Sequence, residues 1–278
     1  MIQNAEQEQS DLEVAIDPPM VNAADISVVF GGIHALIHVS LAFPSGQRCG
    51  IVGPNGAGKT TLLDVLSGVR SPSSGKVTFL EHDVARSGPT KIAHLGLRRT
   101  FQRQQPFGWL SVEDNVLVAL EWRKRNRRVF ADLVAWPGQR HREELAMLQV
   151  TEALAQCGLL EVRKEIAANL PIGQVRLLEL ARAIVDRPRF LLLDEPTSGL
   201  SQYDSSRMGG VLEEFAEDPA VSFVLVEHDI EFVTRHCDRL VVLDQGSVLA
   251  DGEPSAVVQD PSVIEAYIGS QAETGSQG

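Results

Sequence analysis

Gly53-Pro54-Asn55-Gly56-Ala57-Gly58-Lys59-Thr60 has the spacing G-x-x-x-x-G-K-S/T, a pattern whose chemistry is the binding of nucleotide phosphates. Its glycines let backbone N–H groups curl around a β-phosphate, and a helix starting where the loop ends adds its partial positive charge. Lys59 then reaches β- and γ-oxygens, and the Thr60 hydroxyl, with Thr61 beside it, is placed to ligate Mg2+. A second constellation is Asp194-Glu195, two carboxylates that close the apolar run Phe190-Leu191-Leu192-Leu193. Charges at the end of a buried strand need a reason, and the C-terminal edge of an open α/β sheet is where nucleotides bind. Asp194 suits holding Mg2+, directly or through water. Glu195 suits orienting and deprotonating a water that attacks a γ-phosphate.

These groups need elements to hold them. The short apolar run Cys49-Gly50-Ile51-Val52 enters the glycine-rich loop as a strand, and Thr60 to Gly68 leaves it with helical spacing at Leu62, Leu63, Val65 and Leu66. Upstream, the alternation Ile26, Val28, Phe30 and the stretch Leu36 to Phe43 predict strands, with a turn at Pro44-Ser45-Gly46. From Val112 to Leu160 the character changes to long helical stretches, Val112 to Trp122 and Glu143 to Cys157, separated by a basic, aromatic-containing insert. Beyond Gly173 the pattern alternates again: a helix from Val175 to Val185, then strands at Phe190 to Leu193, Val221 to Val226 and Leu240 to Leu243. Such alternation implies an α/β sheet that is parallel at least in its centre.

Composition narrows the classes. The 278 residues are 44% hydrophobic and 22% charged, enough to bury a sizeable core in one large domain or two intimate ones. With 25 Lys+Arg against 37 Asp+Glu the formal net charge is -12, which repels phosphates over most of the surface and excludes a general nucleic-acid coat. Cys49, Cys157 and Cys237 are odd in number and form no CxxC pair, which argues against a disulfide framework and a zinc cage and fits a reducing compartment. Met1 to Ser10 lacks the basic start and apolar run of a signal peptide. The uncharged stretch Ile26 to Gln47 is interrupted by glycines, histidines and Pro44, so a membrane role would be peripheral. Residues 1–22 and 270–278 read as polar tails.

In order and neighbourhood, these and further residues resemble the ATP-binding subunits of ABC transporters, over about Ala24 to Gly269. The resemblance implies a P-loop NTPase core of RecA-like type, a mostly parallel α/β sheet with an antiparallel β part, over residues 23–102 and 176–269, with a helical signature subdomain inserted at 103–175. It implies that Phe30, before Gly31, stacks on adenine. It implies that Gln102, in Arg99-Thr100-Phe101-Gln102, is the Q-loop glutamine, close to reacting phosphate and Mg2+, and that His228, in Val226-Glu227-His228-Asp229, is the switch histidine. The family signature, LSGGQ in its usual form, corresponds to Leu170-Pro171-Ile172-Gly173-Gln174. In the family this helix start covers the γ-phosphate held by the other subunit of a dimer, so Gly173 and Gln174 are candidate nucleotide contacts. Pro171 supplies neither hydroxyl nor N–H there, and Ser201 stands where an aspartate is usual.

Leu95-Gly96-Leu97-Arg98-Arg99-Thr100-Phe101-Gln102, Leu110 to Ala119 and the ending Asp260 to Gly269 are similar to the branched-chain amino-acid uptake branch, whose features amide and urea importers share. The implied activity is ATP hydrolysis that drives a separate permease from the cytoplasmic face of the membrane. The implied partners are that permease, a second ATP-binding subunit different from this one and, indirectly, an extracytoplasmic solute-binding protein. The other class open to such a sequence is a soluble ABC-type ATPase or regulatory ATP-binding module, whose usual double cassettes or long coiled-coil insertions are not seen here. The insert Trp122-Arg123-Lys124-Arg125-Asn126-Arg127-Arg128 fits two roles, a solvated helix face and a contact with anionic lipid headgroups.

Overall fold

The computed structural model describes residues 18–100, 106–121 and 139–274. In chain order its first elements are β1 (Val21–Phe30), β2 (Ile33–Phe43), β3 (Arg48–Val52), α1 (Lys59–Leu66), β4 (Ser74–Phe79), β5 (His82–Asp83), α2 (Val84–Leu95) and β6 (Leu97–Arg99). Three helices follow, α3 (Val112–Glu121), α4 (Gln139–Gln156) and α5 (Ile172–Ile184). The chain then runs β7 (Phe190–Asp194), α6 (Gln202–Phe215), β8 (Ser222–Val226), α7 (Ile230–His236), β9 (Arg239–Asp244), β10 (Ser247–Gly252), α8 (Pro254–Val257) and α9 (Pro261–Thr274).

The larger sheet has the order β10-β9-β3-β8-β7-β6. Its neighbours are parallel from β9 to β6, and only β10 runs antiparallel, on the edge. Strands covered on both faces read as unbroken apolar runs, and β7 and β8 are buried at every residue. Because successive side chains point to opposite faces, each strand supplies two cores. Leu191, Leu193, Phe223 and Leu225 face one, while Phe190, Leu192, Val224 and Val226 face the other. The smaller sheet, β2-β1-β4-β5, is antiparallel, and α1 lies between it and β7. The fold is thus the expected α/β architecture, mostly parallel with an antiparallel part.

The apolar spacing that predicts helices has a physical outcome in the middle of the chain. Val112, Val116 and Leu120 of α3, Ala146, Val150, Ala153 and Leu154 of α4, and Leu177, Leu178 and Ala181 of α5 recur at helical intervals and are buried together. They share one cluster with Leu191 and Leu225 of the sheet rather than closing a core of their own. Three expected boundaries need correction. Met20 and Val21 are buried and β1 begins at Val21, so the N-terminal tail cannot extend to residue 22. Helix α9 continues to Thr274, past the expected start of the C-terminal tail at 270. The division at 175/176 falls inside α5, which starts at Ile172 because Pro171 suits the entrance of a helix. Among the described residues no helix is long and apolar enough to cross a membrane. The basic insert lies outside them.

Candidate functional site

Strand β3 ends at Val52, and residues 53–58 turn into α1. Gly58 caps that helix at φ 100°, with no side-chain hydrogen bond to its first N–H groups. A Cβ there would meet the Ala35 carbonyl oxygen at 2.4 Å, so both the left-handed backbone and the close approach demand glycine. Ala57 N–H donates to the Pro54 carbonyl (3.2 Å) and closes the turn. Asn55, Gly56 and Thr60 are exposed at its mouth, and Thr61 is half-buried. The Lys59 ammonium is nearly buried and donates to the carbonyls of Gly53 (2.7 Å) and Pro54 (2.9 Å). Burial pushes its pKa below the ordinary lysine value, against the opposing pull of Glu195 and Asp194.

The carboxylate pair closes β7 as its sequence implies. Asp194 is 2% exposed. Its Oδ2 accepts from Arg99 Nη2 (3.2 Å), while Arg99 Nη1 donates to Asp64 Oδ1 (2.7 Å) and Ser67 Oγ (3.1 Å) on the α1 side. Burial pushes the Asp194 carboxyl up, and the Arg99 guanidinium pulls it back. Asp194 Oδ1 is buried and has no hydrogen-bond partner among the described residues. A buried acceptor of that kind is costly unless something coordinates it, and a hard carboxylate oxygen is the donor chemistry that Mg2+ takes.

Glu195 sits at φ 49°, left-handed for a residue with a side chain, at a cost of about 1–3 kcal/mol that the surroundings must hold in place. Its N–H donates to the Val226 carbonyl (2.9 Å), and its Oε1 stands 2.9 Å from His228 Nε2. The ends of β3, β7 and β8, adjacent in the sheet, therefore bring Lys59, Asp194, Glu195 and His228 to one edge.

Other expected residues lie elsewhere. Gln102 lies outside the described residues, although β6 leads toward it beside β7. Phe30 ends β1 in the smaller sheet, 38% exposed, with the Arg70 guanidinium 4.4 Å from its ring centre. Gly173 and Gln174 open α5 on the helical side, where a Cβ at Gly173 would meet the Asp204 carboxyl carbon at 2.5 Å. Ser201 caps α6, its Oγ accepting from Asp204 N–H (3.1 Å). Arg99, Asp64 and Glu227 are bound into these contacts too, although no motif in the sequence marks them. Glu227 carried the same signal as Asp194-Glu195, an acid directly after the buried run Ser222–Val226, and is 2% exposed.

A family model for the ABC transporter matches residues 36–198. A second, for the branched-chain amino acid ATP-binding cassette transporter, matches residues 247–273. The chain is 35% identical over 251 residues to the high-affinity branched-chain amino acid transport ATP-binding protein BraF of Pseudomonas aeruginosa, covering 90% of this chain and 98% of that one. It is 33% identical to the corresponding protein LivG of Escherichia coli strain K12, with the same coverage. Among solved structures, it is similar to the ADP conformation of an ATP-binding cassette of an ABC transporter, with a TM-score of 0.76, 30% identity and coverage of 90% and 98%. A nucleotide-free ATP-binding cassette from an ABC transporter gives 0.74, 27% identity and coverage of 89% and 98%.

Proposed function

The chain belongs to the ABC transporter family of ATP-binding cassettes, and from that premise we propose that it is the ATP-hydrolysing subunit of an importer for branched-chain amino acids or a related small solute. The observation that carries this reading is the convergence of the phosphate loop, Asp194 and the Glu195–His228 pair on one edge of the sheet. The Gly53–Thr60 loop cradles the phosphates through its N–H groups and the start of α1. Lys59 exchanges its bonds to the Gly53 and Pro54 carbonyls for phosphate oxygens. Glu195 accepts the proton of the attacking water, and His228 holds the Glu195 carboxylate in orientation. Phe30 supplies a ring for adenine. Thr60, Gln102 and Asp194 would hold Mg2+, which when bound supplies positive charge against the phosphates.

The subunit drives a separate membrane permease, on the cytoplasmic face and as a peripheral protein, with a solute-binding protein on the far side. Its partner cassette is a different chain, because Pro171 and Ser201 leave the half-site around Gly173 and Gln174 without the usual hydroxyl and carboxylate. The test is Glu195→Gln in the assembled transporter. It should keep ATP binding while hydrolysis falls by about 10²–10⁴-fold, since an amide cannot take the proton. Hydrolysis at the wild-type rate would refute Glu195 as the base.

A further inference from the structure

Glu227 lies between the buried strand β8 and His228 and is 2% exposed. Three donors converge on its carboxylate. Oε1 accepts from the Thr197 N–H (2.8 Å) and the Thr197 hydroxyl (2.6 Å), and Oε2 accepts from the His228 N–H (3.2 Å). Its own N–H donates to the Ile51 carbonyl of β3 (3.2 Å). Donors on both oxygens suit the ionised form and offset the burial that pushes this carboxyl above its usual range.

Thr197 is two residues past Glu195, whose left-handed backbone must be held from outside. The turn is closed by Ser198 N–H donating to the Glu195 carbonyl (3.2 Å) and is anchored to β8 through the Val226 carbonyl. The Glu227 side chain supplies a second anchor to the same turn, and the residue it belongs to carries His228 on its C-terminal side. One carboxylate therefore spans the two segments whose side chains meet at 2.9 Å as the Glu195–His228 pair.

We propose that Glu227 is a positioning residue for hydrolysis: by clamping Thr197 to the backbone of His228, it sets the register in which the Glu195 carboxylate faces the His228 imidazole. This rests on the assignment of Glu195 and His228 above and adds a residue that acts through Thr197 and the His228 backbone. Lys59 and the phosphate loop lie outside the clamp, so its loss acts on turnover and not on nucleotide capture.

The experiment compares Glu227→Ala, Glu227→Gln and Thr197→Val with wild type in the reconstituted transporter, measuring kcat, the Kd for Mg-ATP and Tm. Glu227→Ala should lower kcat by about 10²-fold, the scale on which small misplacements cost rate, with the Kd within about two-fold. Glu227→Gln should recover part of the rate, because its carbonyl oxygen still accepts both Thr197 bonds. In a His228→Ala background, Glu227→Ala should cost almost nothing further, since both act on the same carboxylate. Equal fold losses in both backgrounds, or a loss of ATP affinity in parallel with Tm, would make Glu227 a general structural residue and overturn the proposal. If Glu227→Ala does not fold, Thr197→Val decides by the same comparison. Glu195→Gln in the same assay separates the failures: normal hydrolysis there sinks the functional reading, whereas normal hydrolysis in Glu227→Ala alone sinks only the clamp.

Discussion

Single side chains at the candidate site are held by neighbours that spacing alone does not reveal. Arg99 joins a carboxylate of α1 to Asp194, so the phosphate-loop helix and the acidic strand share one guanidinium. Phe30 carries the same lesson. Its ring is backed by Arg70 at 4.4 Å, a cation–π contact worth about 0.5–1 kcal/mol at an exposed site, which leaves the rest of its exposed surface for a base. Phe30→Ala should weaken ATP binding by about 1–3 kcal/mol, the range for a base stacked on an aromatic side chain, while Phe30→Tyr should be nearly silent. Titration with a fluorescent ATP analogue checks this, and equal affinity in wild type and Phe30→Ala would refute Phe30 as the adenine contact.

At the scale of elements, the loop is placed by how closely α7 packs on the strand that feeds it. A Cβ on Gly50, in the middle of β3, would lie 2.0 Å from Val233 Cγ1 and 3.5 Å from Cys237 Sγ. The strand and helix can approach this closely only because position 50 lacks a side chain. Gly50→Ala should therefore destabilise by about 1–3 kcal/mol through overpacking, and most of that loss should vanish when Val233→Ala makes room. Guanidinium unfolding of the two single variants and the double variant tests the coupling. An equal cost of Gly50→Ala in both backgrounds would place the strain elsewhere. The apolar run marks β3 as a strand, yet nothing in the sequence singles out Gly50, since its partner Val233 is 183 positions away in the chain.

For the whole molecule, the proposed mixed pair of cassettes, argued from Pro171 and Ser201, predicts what one copy does alone. Ser201 already has a local task as the cap of α6, one that aspartate performs equally well. The isolated chain should bind Mg-ATP but hydrolyse it slowly, because the partner surface that completes the γ-phosphate cage is missing. Pro171→Ser together with Ser201→Asp should raise turnover at the site shared with the partner. Brisk ATPase activity of the purified chain, rising cooperatively with its own concentration, would count against a mixed pair of cassettes. The phosphate loop, the acidic strand end and the helix-strand alternation are legible in the sequence, because each is a local pattern: backbone that needs glycine, apolar runs with a period, and carboxylates at the end of a run that burial would otherwise keep free of charge. Which distant residues support them follows from the fold. Arg99 meets Asp64 and Asp194, Glu227 meets Thr197, and α3 to α5 share a core with the sheet. Those contacts depend on strand order, which brings β6, β7 and β8 side by side, and no spacing along the chain encodes the distance between residues that only folding makes neighbours.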